Sequence, residues 1–171
     1  PVYQKEMSLL EMISFRQCVK VFDRYPIRLI CPEGLDISVY RYFSNKIEAD
    51  FISLERQRSL ATYNRMLIQP FLYERYHQYE FMLFYQLDAF AFRNDLEHWC
   101  DKGYDYIGAP WFYDFPGAKA DSPIIGVGNG GFSLRKTRAL LTVLETLANS
   151  VTDAAIGGDW FRLFDDYPAQ E

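Results

Sequence analysis

An almost purely apolar run, Phe81–Tyr85, constrains the fold of this chain more than any other feature. The run is short, rich in aromatic side chains, and followed after two residues by Asp88. A segment of this kind is typical of a strand that is buried on both faces of a sheet. We therefore expect a sheet that carries helices on both of its faces. Residues 89–92 continue the apolar pattern and predict a continuation of the strand.

Helix and strand signals alternate along the rest of the sequence. Ser8 and Glu11 have the spacing of a capping box, which predicts a helix that runs to about Asp23. Further strands are predicted at residues 27–31, 50–54 and 104–107, and further helices at 36–43, 59–79 with a break at Pro70, 94–102 and 136–147. Residues 126–131 predict a glycine-rich turn. This order predicts an α/β fold, a three-layer α/β/α sandwich with a mostly parallel central sheet, in a single domain over residues 1–171.

Composition excludes several classes of protein. The 18 basic and 23 acidic side chains give a net charge of −5, so a nucleic-acid partner is not expected. No apolar run reaches the roughly 18 residues that a membrane helix needs. The three cysteines (Cys18, Cys31 and Cys100) are irregularly spaced, which favours free thiols in a reducing compartment and so a cytoplasmic location. His77 and His98 are too few for a metal site built mainly from imidazoles.

Ligands of open α/β sheets bind beyond the carboxyl ends of the strands. This rule selects residues 1–3, 32–33 and 108–111, and above all Asp88. A carboxylate in apolar surroundings is costly unless it is paired, hydrogen-bonded or bound to a metal. Asp88 is therefore either a functional group or a strand-end residue that caps a nearby turn.

Other candidate groups also have two interpretations each. Residues 126–131 match G-x-G-x-x-G, with Asp153 at a suitable distance for a ribose contact, so a dinucleotide site stands beside a simple flexible turn. Asp159 follows Gly157 and Gly158 and is either a helix N-cap or a general base. The ring of Trp111 either stacks on a sugar or base or covers the edge of the core.

The segments 1–3, 63–65, 85–92, 104–111 and 128–135 together resemble a family of largely uncharacterised, mostly microbial proteins assigned to the GT-A fold of nucleotide-sugar glycosyltransferases. The resemblance covers most of the chain. It implies the Rossmann-like α/β/α architecture of that fold and a divalent cation, Mn²⁺ or Mg²⁺, as cofactor.

The resemblance also implies a role for individual residues. Asp88 matches the first Asp of an Asp-x-Asp motif and would hold the metal ion against the donor diphosphate. Asp159 matches a candidate catalytic base. The residues implied on the nucleotide-sugar side are Pro1, Val2, Tyr3, Asn64, Asp88 and Ala89. Those implied on the acceptor side are Trp111, Gly130 and Gly131.

The sequence also departs from the family pattern. Phe90 stands where the second Asp of the motif is expected, and Gly158 stands where a Glu is expected beside Asp159. The bulk of the first strand is missing ahead of Pro1, and the sequence ends at Glu171, before a His that usually completes the metal site. We expect a domain that is truncated at both ends or has lost catalytic parts.

The resemblance implies a metal-assisted glycosyltransferase that moves a sugar from a nucleotide-sugar donor to the hydroxyl group of a glycan or similar acceptor. A non-catalytic domain that binds a nucleotide sugar or carbohydrate is the alternative, which Phe90, Gly158 and the missing His favour. A dinucleotide-dependent oxidoreductase is the third hypothesis, and it rests on the glycines of residues 126–131.

Overall fold

A computed structural model of the chain describes residues 1–115 and 117–150. The helices are α1 (Leu9–Val21), α2 (Ser38–Arg41), α3 (Leu60–Leu67), α4 (Pro70–Arg75), α5 (Leu96–Asp101) and α6 (Thr137–Ser150). The strands are β1 (Arg28–Pro32), β2 (Glu48–Ile52), β3 (Phe81–Tyr85), β4 (Tyr106–Phe112) and β5 (Ile124–Lys136).

Local sequence signals place several of these elements correctly. The predicted capping box of α1 is confirmed: Ser8 Oγ accepts from the Glu11 amide, and the Glu11 carboxylate accepts from the Ser8 amide. Pro70 occupies the first turn of α4, as the predicted break in the helical segment requires. The apolar run Phe81–Tyr85 forms strand β3, as predicted.

The predicted sheet topology is wrong. β1 and β2 form a two-stranded parallel sheet, whereas β3, β5 and β4 form a separate sheet in which β5 is central and antiparallel to both neighbours. The part of the chain that the structure describes contains no mostly parallel central sheet. The physical reason lies in the connection from β4 to β5. Its described residues, 113–115 and 117–123, form no helix, and the chain returns beside the strand it has just left, which gives an antiparallel pair.

Residues 126–131, predicted as a turn, belong to β5. Their main chain pairs with β4, with Gly126 opposite Trp111 and Val127 opposite Pro110. Residues 89–92, predicted as a strand, have no strand partner, and side chains satisfy the main chain of Ala91 instead. The Ala91 amide donates to the Tyr85 hydroxyl and its carbonyl accepts from Gln17 Nε2.

Two apolar clusters form most of the core. The first joins both sheets to α3 and α4 through Ile30, Ile52, Met66, Leu72 and Phe84. The second packs α1 and α2 against β1, and its buried residues include Val2, Phe15, Leu29, Cys31 and Tyr40. The amino-terminal residues therefore belong to the core, which brings them to the same region as the end of β3.

The cysteines are free thiols, as predicted, with Cys18 and Cys31 buried. Burial raises the pKa of the Cys18 thiol to about 12, so this group is protonated at neutral pH. Among the residues that the structure describes, no helix combines the length and the apolar character needed to cross a membrane.

Asp50 on β2 is the centre of a buried ionic network. Its carboxylate accepts from Arg75 at 2.7 Å, from the Tyr76 hydroxyl at 2.8 Å and from Arg28 at 3.3 Å. Burial by itself raises the pKa of Asp50, but the hydrogen bonds from Arg75 and Tyr76 and the charges of Arg75 and Arg28 outweigh it and hold the pKa below its usual value. The network ties β1 and β2 to the end of α4.

We predict that Asp50→Asn lowers the free energy of unfolding at pH 7 by about 3 kcal/mol, because the two guanidinium groups lose their buried anionic partner. In the unchanged protein, the depressed pKa makes the contribution of Asp50 fully present above the unfolded-state pKa of about 3.9 and lost as the pH falls through the folded-state pKa. Urea unfolding between pH 7 and pH 3 measures both effects. The exposed Asp121 provides the control, since Asp121→Asn should change stability by less than about 0.5 kcal/mol. Equal losses in the two variants would contradict the network's role.

Candidate functional site

A four-residue turn, Gln86 to Ala89, follows β3 and carries Asp88. The Ala89 amide donates to the Gln86 carbonyl at 3.0 Å, and the Ala89 carbonyl accepts from the Tyr85 and Ser14 hydroxyls. Leu87 packs against the core cluster that contains Val2. Because Leu87 packs against the core and the main chain of Ala89 is hydrogen-bonded, Asp88 lies on the exposed side of the turn.

The Asp88 carboxylate is exposed, which differs from the apolar surroundings that the sequence suggests. Within residues 1–115 and 117–150, no hydrogen bond or ion pair joins this carboxylate to another residue. The turn is closed by main-chain and hydroxyl groups instead, so the capping role for Asp88 finds no support. An exposed carboxylate without a described partner is open to a ligand.

A chain of aromatic and polar contacts links the amino-terminal residues to this turn. The rings of Tyr3 and Tyr63 meet edge to face with centroids 5.7 Å apart. Gln86 Nε2 donates to the Tyr63 hydroxyl at 3.3 Å, and the Gln86 amide donates to the Gly131 carbonyl at 2.7 Å. Residues 1–3, α3, the end of β3 and the glycine segment of β5 therefore converge.

Both tyrosines of this cluster are neutral phenols at physiological pH. Burial raises the pKa of Tyr3 well above its usual value, and the neighbouring Tyr63 raises it further. Burial also raises the pKa of Tyr63, although hydrogen bonding with Gln86 and the charge of Arg135 oppose the effect. The exposed Tyr3 therefore offers a neutral hydroxyl group and an aromatic face rather than phenolate charge, whereas Tyr63 is buried.

The other predicted donor-side residues differ in accessibility. Val2 is buried and its amide donates to the Ile30 carbonyl at 2.9 Å, whereas the Tyr3 side chain is 43% exposed. Asn64 on α3 is half-buried beside Tyr63. Trp111 lies on β4, which is separated from β3 by β5, and its ring contacts Phe115 edge to face. Of the predicted contact residues 1–3, Tyr3 has the side chain most open to a ligand.

Gly130 and Gly131 lie in a bulge of β5. On the β4 side, the pairing jumps from Gly108 opposite Ser133 to Ala109 opposite Asn129, which leaves residues 130–132 without a β4 partner. The space in front of Gly130 is filled by the Arg135 guanidinium. The absence of a side chain at Gly130 therefore follows from packing inside the sheet.

Arg135 is a buried charged residue of β5. Its guanidinium lies over the Phe84 ring at 4.1 Å from the centroid and donates to the Tyr73 hydroxyl at 2.7 Å and to Ser133 Oγ at 3.1 Å. Cation–π contact and hydrogen bonds replace water around the charge. The alternation of side chains between the two faces of a strand could have predicted the burial of Arg135, because Ser133 and Arg135 lie on the same face of β5.

The described residues contain no cluster of three or more His, Cys, Asp or Glu side chains that could enclose a metal ion. Asp88 is the one predicted ligand of this region. Asp153, Gly157, Gly158 and Asp159 lie outside the described residues. The glycines of residues 126–131 lie inside a strand and α6 begins only at Thr137, so they do not open a helix as a dinucleotide fingerprint does.

Sequence reasoning missed Gln86 and gave Tyr63 no role of its own. Gln86 connects Tyr63 to Gly131 across two different elements, and no spacing in the sequence indicates that contact. Tyr63 is 2% exposed and precedes the predicted Asn64, so its position in the helical pattern was the only available signal. These two side chains hold the turn after β3 in register with the amino-terminal residues.

We predict that Gly130→Ala destabilises the protein by about 1–3 kcal/mol, because the added methyl group would lie 2.8 Å from Arg135 Nη2. Ser133 and Tyr73 hold that guanidinium in place, so its retreat costs hydrogen bonds. Gly126 is the matched control in the same strand, since nothing lies within 4 Å of a methyl group added there. Urea denaturation compares the two variants, and indistinguishable midpoints would overturn the explanation.

Comparison with known proteins places this chain in a family. Neither the curated proteins nor the solved structures compared with it gave a match. A family model described as "Protein of unknown function (DUF5672)" matches residues 46–167, more than half of the 171 residues. The matched range includes α3, the turn after β3 and the glycine segment of β5. The chain therefore belongs to the DUF5672 family.

Proposed function

We propose that the protein is a glycosyltransferase that moves a sugar from a nucleotide-sugar donor to a hydroxyl group of a glycan or similar acceptor. One observation carries the proposal: the exposed Asp88 carboxylate stands on a hydrogen-bonded turn that begins at Gln86, and Gln86 contacts Tyr63 and Gly131. The segments around Asp88 resemble those of nucleotide-sugar transferases, and this resemblance is the reason for proposing sugar transfer as the reaction.

The donor's leaving group sets the chemical requirement. A nucleoside diphosphate departs with growing negative charge, and a divalent cation supplies the neutralising charge when it is bound. Mg²⁺ and Mn²⁺ accept one or two carboxylates together with substrate phosphates and water. Asp88 fits that donor set because its oxygens are exposed and not engaged by other described residues, while Phe90 adds no second carboxylate. The chain would thus contribute one ligand and the diphosphate several.

The remaining roles stay predictions. Tyr3 is 43% exposed and would lie against the nucleotide, with Asn64 and the main chain of Ala89 nearby. Trp111, Gly130 and Gly131 would line the acceptor side. Asp159 would accept the proton of the acceptor hydroxyl as that oxygen attacks the sugar. We retain the cytoplasm as the proposed location because the thiols are free.

We predict that Asp88→Asn weakens Mn²⁺-dependent binding of a nucleotide sugar at least about tenfold, because the amide cannot replace the charge of the carboxylate. Isothermal calorimetry with a panel of UDP-, GDP-, CMP- and dTDP-sugars, with Mn²⁺ and with EDTA, measures the effect. Asp23→Asn is the matched control, since Asp23 is an exposed aspartate in the turn after α1, before the start of β1. A folded protein that binds no member of the panel, or binds equally in both variants, would refute the site.

A non-catalytic domain that binds a nucleotide sugar is the second candidate, and Phe90 favours it. This side chain is 41% exposed where the resemblance places a second carboxylate. For the transferase, we expect slow Mn²⁺-dependent hydrolysis of the bound donor that Asp88→Asn abolishes. Chromatographic detection of the released nucleoside diphosphate checks this. Donor binding without any release over a day would favour the binding domain.

A further inference from the structure

The solvent-facing side of α1 begins with apolar side chains. Leu9 and Leu10 are 71% and 76% exposed, and Met12 and Ile13 are exposed as well. The opposite side of the helix packs into the core through the buried Phe15. The four exposed side chains therefore add little to the packing of the described residues, and their apolar surface is open to a partner.

The segment that follows the turn after β3 lies along one flank of α1. Ser14 Oγ donates to the Ala89 carbonyl at 2.5 Å, and Gln17 Nε2 donates to the Ala91 carbonyl at 2.8 Å. Leu10 lies on the same flank, because positions 10, 14 and 17 of a helix share one side. The exposed start of α1 thus borders this segment.

The segment adds two aromatic rings to the exposed apolar surface. Phe92 is 86% exposed, and its ring centroid lies 5.1 Å from that of Phe90, which is also exposed. Exposed apolar groups that lie together in this way mark interaction surfaces more often than single ones do. The apolar patch consists of Leu9, Leu10, Met12, Ile13, Phe90 and Phe92.

The charged side chains on the solvent-facing side of α1 are basic. Arg16 and Lys20 are exposed and lie three and seven positions after Ile13, on the same side of the helix. Neither forms an ion pair with another described residue. The one acidic residue of α1, Glu11, accepts from the Ser8 amide in the capping box instead. Positive charge therefore borders the apolar patch, although the net charge of the whole chain is −5.

A membrane surface with anionic lipids fits this combination of groups. Leucine and phenylalanine side chains insert at the boundary between headgroups and acyl chains, while neighbouring arginine and lysine side chains attract anionic headgroups. A stable protein interface uses roughly 20–30 residues on each side, far more than the patch contains. A lipid surface needs no matched counterpart, so a small patch with adjacent positive charge suffices for reversible binding.

We propose that the apolar patch, together with Arg16 and Lys20, docks the protein on an anionic membrane surface, with α1 lying in the plane of the headgroups. The apolar side chains insert between the lipids, and the two cations contact the headgroups. The turn with Asp88 precedes the segment on the flank of α1, so docking brings this turn close to the membrane. The inference goes beyond the proposed function and does not depend on it, since docking requires no sugar donor.

Sedimentation with lipid vesicles tests the proposal. The unchanged chain should sediment with phosphatidylcholine vesicles that contain about 30% phosphatidylserine, and high salt should release it. Vesicles of phosphatidylcholine alone should leave it in solution. Leu9→Gln combined with Leu10→Gln should weaken binding at least about tenfold, because two inserting side chains are lost. Arg16→Gln combined with Lys20→Gln should also weaken binding at least about tenfold, because headgroup attraction is lost.

Two matched pairs of substitutions serve as controls. Ile124→Gln combined with Ile125→Gln removes two apolar side chains of β5 that are 62% and 66% exposed. Arg58→Gln combined with Lys119→Gln removes two exposed charges that lie outside α1 and the segment on its flank. Both control proteins should bind the anionic vesicles as the unchanged chain does.

Several outcomes would overturn the proposal. The first is sedimentation that is the same with anionic vesicles, with neutral vesicles and without vesicles, and the second is equal binding of the patch variants and their controls. Self-association without lipid, measured by sedimentation velocity and abolished by the Leu9 and Leu10 substitutions, would assign the patch to a second copy. Vesicle binding is measured with EDTA and without nucleotide, so failure of the proposed donor site leaves its result unchanged.

Discussion

Antiparallel pairing of β5 with both β3 and β4 is the constraint on which the rest of the structure depends. β5 satisfies one edge of each neighbour, and its contact with β3 ends where the Gly131 carbonyl accepts from the Gln86 amide. That last hydrogen bond fixes where β3 stops and the turn with Asp88 begins. The bulge at residues 130–132 lies at the same level, so the glycines and the carboxylate are positioned by one strand.

Buried charge is handled differently in the two sheets. Asp50 is surrounded by guanidinium and hydroxyl donors, so its burial strengthens the contact between β2 and α4. Arg135 has aromatic rings and hydroxyls around it, among them Phe84 and Tyr73. Both groups stabilise the scaffold beside the turn. Asp88, by contrast, is exposed and makes no contribution of this kind, which is the physical basis for considering it functional.

The proposed chemistry requires few metal ligands from the protein itself. A substrate diphosphate brings its own oxygen ligands, so a single carboxylate on a fixed turn suits a hard divalent ion. Tyr3 supplies neutral aromatic surface next to that turn, and the buried Tyr63 packs against its ring edge to face. A nucleotide sugar is therefore the ligand that we propose for this turn.

The sequence by itself determined the elements whose signals are local. The capping box of α1, the start of α4 at Pro70 and the apolar strand Phe81–Tyr85 each depend on residues a few positions apart, and all were predicted, although the predicted continuation of that strand over residues 89–92 was wrong. The chain also contains a candidate carboxylate that needs no tertiary information to be noticed. These features are local because hydrogen bonds within one turn, or one uninterrupted apolar face, specify them.

Only the tertiary structure decided the direction of the strands, the exposure of the side chains and which residues surround each site residue. Judged from the local sequence, the glycines of residues 126–131 favour a turn. Pairing with β4 makes these residues part of a strand, and the strand pair is antiparallel and not parallel as predicted. Asp88 is exposed because Leu87 packs against the cluster that contains Val2. Arg135 is buried because its guanidinium donates to the Tyr73 hydroxyl and lies over the Phe84 ring. Such outcomes depend on main-chain pairing and packing between segments far apart in the sequence, where no local spacing carries the information.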